Sequence, residues 1–431
     1  MGNRNTGGIH ATMANKFMKI LRLFLAVFCL ACSSFAQATN EPTFDVEKAT
    51  RAYLDRIPPD KKARSDAYFE GGYWLQLWNF LYGAAIAALL LPGRLSARMR
   101  DNAVFCTRFK PLQSGLYAIQ YFLLTAVLAL PLSLYQDYFR EHQYGMSNQD
   151  LAGWFGDWGK GLLVTVIGGG LLLMALMRVV RGLPRTWHLW GAVVTLAFLV
   201  LGVVIGPVYI SPIFNKYTVL ADPKVADPIL RLAGANGIPA DKVYVMDASK
   251  QTKRVSANVS GFLGTTRITL NDNLLNRSTL PEIEAVMGHE MGHYVMNHVF
   301  KMLLFFGVVV FVGFALLRWT IERMLAAYGA RWGINGVGDV AVVPLAVFIF
   351  SVYFLVLTPI LNSYIRTQEA EADMFGLNAA RQPDGMAEAS LKLGEYRKME
   401  PGTVEEWIFF DHPSGATRIR RAMRWKAANL P

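Results

Sequence analysis

Six long stretches almost free of charge decide most of what this chain can fold into. They lie at roughly 73–92, 112–135, 161–177, 188–210, 302–317 and 340–361. A helix must be about 20 residues long to cross a hydrocarbon core of about 30 Å. Of the 431 residues, 53% are hydrophobic and 17% charged, whereas soluble chains carry about 25% charge. A soluble protein, a disordered chain and a fibrous repeat are therefore excluded. The pattern predicts a mainly α, polytopic membrane protein with six transmembrane helices. The stretches 161–177 and 302–317 are short for a bilayer, so their helices are expected to continue into water. Tyr73, Trp74 and Trp78 open the first span and suit an interfacial belt.

A seventh apolar run, 23–36, follows Lys16, Lys19 and Arg22 and ends among small residues at Ala36 and Ala38. It reads as a secretory signal peptide over 1–38, with an uncleaved first span as the alternative. Cys32 is a poor lipidation site, because Cys29 stands where such sites carry Leu. Beyond this run only Cys106 remains, so the rest of the chain has no internal disulfide. Residues 39–210 then form an N-terminal membrane region of four spans. A polar region at 211–298, a two-span insert at 299–361 and a polar C-terminal region at 362–431 follow. Two spans separate the polar regions, which puts both on one face of the membrane, as a site built from both requires.

Within 211–298, residues 242–247 and 266–270 alternate like strands. Pro281 and the acids after it open a helix, with Thr279 as a possible cap. That helix carries His289-Glu290-Met291-Gly292-His293. Side chains four residues apart differ by only about 40° around a helix, so both imidazoles leave one face. This is the arrangement for two ligands of a tetrahedral zinc, with Glu290 placed as general base for a water activated there. A third protein ligand is needed. The segment 362–373 offers one, because Glu369 and Asp373 share a helix face with Arg366 one turn earlier. Glu371 points nearly opposite and reads as a solvated carboxylate. Asp373 is placed to accept from the free ring N–H of a ligand histidine.

Together, His289-Glu-Met-Gly-His293, His298, Asn362, Arg366, Glu369, Ala372-Asp373, His412-Pro413 and Arg418 resemble the zinc-dependent type-I CAAX prenyl endopeptidases. Their bacterial relatives, the membrane heat-shock metalloproteases, share much of the pattern. The resemblance covers most of residues 45–431 and is motif-specific from about 211 onward. It implies one zinc per chain held by His289, His293 and Glu369, in a small α+β metallopeptidase unit built from the two polar regions. It gives Glu290 the role of base, Asp373 that of proton donor or orienter, and His412 a place near the scissile carbonyl. Ile365 departs from the Ser that many relatives carry before the arginine. The resemblance also offers the stretch 255–261, with Asn258, as an edge strand that pairs with substrate backbone. An ordinary loop is the plainer alternative.

Several features have modest readings. Residues 418–426 are basic and read as a solvated helix face. His298 supports the site and is not a ligand, and His142 and His188 are interfacial polar residues. A transporter would need charge buried along its spans, which these lack, and an inactive scaffold would be missing a site residue. The expected function is therefore an integral-membrane zinc metalloendopeptidase acting on peptides or proteins, membrane-associated or prenylated. Membrane-protein quality control on unprenylated substrates is the alternative. The net charge of +11 does not signal nucleic acid, because basic loops orient spans. Short loops on the side away from the metal motif hold eleven Lys and Arg, against Arg140 and Lys160 on its own side. That bias predicts a bacterial inner-membrane protein with its site on the periplasmic side.

Overall fold

The computed structural model describes residues 44–261 and 266–430. The signal-peptide reading, Cys29 and Cys32 lie outside the described residues. Helices are numbered α and strands β in chain order. Helix α1 (Val46–Leu54) leads into α2 (Pro59–Leu90), and α3 (Leu95–Cys106) follows. Next come α4 (Lys110–Gln143), α5 (Leu151–Gly182) and α6 (Trp187–Phe214). Helices α2, α4, α5 and α6 are long and apolar enough to span a membrane, as are α10 (His298–Trp332) and the segment Val340–Ala380. The expected short spans are thus parts of longer helices. The stretch 161–177 lies within the 32 residues of α5, and 302–317 within the 35 of α10.

Between α6 and α10 the chain forms a four-stranded sheet of order β1-β2-β4-β3. Strand β1 (Tyr217–Val219) runs antiparallel to β2 (Val243–Met246), which is parallel to β4 (Arg267–Asn271). Strand β3 (Ala257–Ser260) lies antiparallel to β4 at one edge, with Asn258 opposite Thr269. Helix α7 (Pro223–Ala235) joins β1 to β2, and the short α8 (Asp272–Arg277) leads to α9 (Leu280–Val295). Ile229 and Ala233 of α7, Val243, Ile268 and Leu270 of the sheet, and Ile283, Met287 and Met291 of α9 form one buried core. Fully burying such side chains stabilises by about 1.5–3 kcal/mol each. The outer face of α9 therefore rests on the sheet while its other face is free to meet α11 (Val343–Ala380). The chain then turns through α12 (Pro383–Leu393), α13 (Thr403–Phe409) and α14 (Gly415–Asn429).

The opposite end gathers the basic loops. Arg94 donates to the carbonyls of Ala330 and Arg331, Arg100 pairs with Asp339, and Arg181 donates to the carbonyl of Gly338. Much of that charge thus also ties the ends of the spans together.

Candidate metal centre

Two helices make the site, and small residues let them touch. Helix α9 begins on a capping box, in which the Glu282 carboxylate accepts from the Thr279 N–H at 3.3 Å. One turn from its end it carries His289 and His293. Helix α11 runs on unbroken from the last span and buries Gln368, Glu369, Ala372, Asp373 and Gly376 on one face. Cβ atoms at Gly288 and Gly292 would lie 3.0–3.1 Å from the backbone of Gly376 and Ala372. Only glycine at these crossings lets the helices approach closely enough for His289 and Glu369 to face each other.

The donor atoms converge. His289 Nε2 and His293 Nε2 are 3.1 Å apart. Glu369 Oε2 lies 3.3 Å from His289 Nε2, and its Oε1 lies 3.4 Å from His293 Nε2. A tetrahedral zinc with bonds of about 2.0–2.1 Å sets its ligand atoms roughly 3.3 Å apart, so these three edges fit such an ion. Glu369 Oε2 is moreover buried without a hydrogen bond from any described residue. A buried carboxylate oxygen left in that state needs a cation. The donor set therefore fits a divalent metal.

Outer contacts fix the ligands. His289 Nδ1 donates to Asp373 Oδ1 at 2.9 Å. Asp373, only 1% exposed, also accepts from Arg421 at 2.6 Å and from Arg418. It lies behind His289, closed off from the cavity. Burial opposes charge on His289, but the Asp373 and Glu369 carboxylates outweigh it and push its pKa up to about 9. On the other side Asn297, with φ +54°, breaks the helix and folds His298 back. His298 Nδ1 then meets His293 Nδ1 at 2.9 Å, and its Nε2 meets Glu371 at 3.1 Å, which Lys301 also binds at 3.1 Å. Glu371 is therefore not the isolated solvated carboxylate that helix angles suggested. The turn at Asn297 carries His298 to the back of Glu371, which a single-helix projection does not show.

Asn362 and Arg366 act on the C-terminal end of α13 instead of on the donor side chains. Asn362 donates to the Ile408 carbonyl at 2.7 Å. Arg366 donates to the carbonyls of Glu406, at 2.9 Å, and Phe410. This fixes the exit of α13, so that His412 Nε2 stands 3.3 Å from Glu369 Oε2 while Nδ1 binds Asp411 at 2.7 Å. Burial raises the Asp411 pKa, yet the contact with His412 outweighs it and the net direction is down.

A cavity of about 340 Å³ opens over the centre, walled in part by His289, Glu290, His293, Glu369 and His412. Burial pushes the Glu290 carboxyl up. Strand β3 borders this cavity through Ala257, whereas the Asn258 side chain is exposed and off the cavity wall. The basic run 418–426 is not simply a solvated face. Arg418 is buried and, with Arg421, grips Asp373. The arginines at positions 418 and 421 are one turn apart, and that spacing was the available clue to a shared inward target.

Comparison with known proteins places the chain among membrane metallopeptidases. A family model described as peptidase family M48 matches residues 220–426. A second, described as the N-terminal part of CAAX prenyl proteases with five membrane helices, matches residues 43–216. An uncharacterised metalloprotease of Bacillus subtilis (YhfN) is 28% identical over 345 residues, covering 80% of each chain. A human CAAX prenyl protease 1 homolog is 26% identical, covering 88% of this chain and 91% of its own length. The crystal structure of Saccharomyces mikatae Ste24p superposes with a TM-score of 0.73 at 22% identity, over 89% of this chain and all of that one.

Proposed function

Since the chain belongs to the membrane-embedded M48 metalloproteases of the CAAX prenyl protease type, we propose that it hydrolyses peptide bonds at one zinc held by His289, His293 and Glu369. The observation that carries this reading is the convergence of those three donors at zinc-like spacing beside Glu290. A zinc ion held there would act as Lewis acid on the scissile carbonyl and lower the pKa of a water to about 7. Glu290 takes the proton released as the water oxygen adds to the carbonyl carbon. It then gives that proton to the amide nitrogen as the C–N bond breaks. Its raised pKa suits a group that must both take and return a proton. With Nδ1 held by Asp411, the His412 ring presents Nε2 to the oxyanion.

Asp373 serves as an orienter and not a proton donor, because it is shut away from the cavity between His289 and two guanidinium groups. His298 plays the same part for His293, and Asn362 and Arg366 do so for His412. Substrate backbone adds to the edge strand β3, and Asn258, exposed beyond the cavity wall, is available to the part of the substrate that extends outside the cavity. We assign the substrates to membrane-associated peptides, prenylated ones included. The metallopeptidase unit spans 211–298 and 362–431, with a two-span insert at 299–361 and a four-span region at 39–210 before it. The clustered basic loops at the far end support a bacterial inner-membrane setting with the centre on the periplasmic side.

Three experiments test this. Glu290→Gln should keep about one zinc per chain and lose cleavage by roughly 10²- to 10⁴-fold, and termini found only with active enzyme identify substrates. The same peptide with and without a farnesyl group separates CAAX-type processing from general quality control. Alkaline phosphatase fused after Pro431 should be active, and an inactive but well-expressed fusion places the site in the cytoplasm.

A further inference from the structure

Three fixed cations help to wall the catalytic cavity: Lys392, Arg397 and Arg418. Two of them have their counter-ions. Lys392 pairs with the buried Glu282, and Arg418 with Asp373. The Arg397 guanidinium makes no hydrogen bond or ion pair with any described residue. The two acids whose charges act on it are both engaged, Asp411 by His412 and Glu369 at the metal centre. Both acids are thus held by other groups, and neither bonds the guanidinium. Burial and the neighbouring Arg418 push its pKa down.

The position is also held in place. The Ser65 hydroxyl donates to the Arg397 carbonyl at 3.1 Å. The next residues are tied to α2 by Lys398–Glu70 at 2.6 Å and Lys62–Glu400 at 2.6 Å. With its backbone anchored and its guanidinium unpartnered at the cavity wall, Arg397 offers a planar fork that matches a carboxylate.

We infer that Arg397 binds a carboxylate of the peptide substrate, either its free C-terminus or an acidic side chain. The inference rests on the proteolytic reading above and adds a specificity determinant to it. It makes the enzyme selective for peptides that present a carboxylate within the cavity.

The test uses full-length enzyme and one cleavable peptide in four forms: free acid or carboxamide at the C-terminus, each with its Asp and Glu kept or changed to Asn and Gln. Wild type should lose about tenfold to a hundredfold in kcat/KM when the recognised carboxylate is removed, as expected for a charge-assisted hydrogen bond. Loss on amidation assigns the terminus, and loss on side-chain neutralisation assigns an acidic residue. Arg397→Gln should be as slow on the acid form as wild type is on the neutral form, and should no longer distinguish the two. Arg397→Lys should recover part of the preference. Anisotropy measurements of peptide binding to Glu290→Gln, with and without Arg397→Gln, should show the same selectivity without turnover. The idea is overturned if wild type treats all four forms alike, or if Arg397→Gln slows all four equally, as an oxyanion-stabilising role would. If no form is cleaved, the proteolytic reading fails, and the binding measurement still decides the role of Arg397.

Discussion

A β-carbon placed on Gly376 would lie 2.7 Å from the backbone nitrogen of His289. The three donor side chains are thus brought together at a backbone-to-backbone contact between two helices, where side chains of any size would separate them.

Gly376→Ala is therefore expected to wedge α11 away from α9. Overpacking of this kind costs about 1–3 kcal/mol. The variant should melt earlier and bind zinc more weakly, as read by thermal denaturation and metal titration. Unchanged zinc affinity would show that the crossing is slack enough to absorb a methyl group.

Glu369 and Glu371 should separate by kind of defect. Glu369→Ala removes a ligand and should strip the metal. Glu371→Gln should leave about one zinc per chain but weaken its affinity by roughly 10- to 100-fold, the usual effect of losing an outer-shell partner. The argument runs through His298, which joins Glu371 to the far nitrogen of His293. Wild-type affinity in the Glu371 variant would break that chain.

Metal binding should release a proton. In the metal-free protein His289 has a pKa of about 9, above its ordinary value near 6.5. Its proton therefore stabilises the metal-free fold fully below pH 6.5, and that contribution is lost as pH rises through 9. Zinc needs the neutral imidazole, so affinity should climb about tenfold per pH unit from 7 and level off near 9. Calorimetry in buffers of different ionisation enthalpy reads the released proton directly. A pH-independent affinity over that range would sink the assignment.

Arg366→Ala removes the donor to the carbonyls of Glu406 and Phe410 and should loosen the loop that carries His412. The expected result is full zinc content with kcat reduced about 10²-fold, similar to His412→Ala. Combining the two substitutions should cost little more than either alone, because both act through one group. Additive losses would mean that Arg366 acts elsewhere.

Amino-acid order alone located the spans, the histidine pair on one helix face and Glu369, rather than Glu371, on the face that meets it. Each depends on a period within one helix, and a period is a local property of a chain. The strands 242–247 and 266–270 were legible for the same reason, and the structure has β2 and β4 there. What the tertiary structure decided lies between elements. The turn at Asn297 sets His298 against both His293 and Glu371, although Glu371 faces away from the ligands on its own helix. Arg418 and Arg421 belong to a run that looks solvated in isolation, and they become partners of the buried Asp373 only because α14 packs beside α11. Asn362 and Arg366 find their role at carbonyls near the C-terminal end of α13, some 40 residues later. Periodicity shows which side chains share a face, but the neighbour that the face meets is fixed only when helices close to backbone contact, as α9 and α11 do through their glycines.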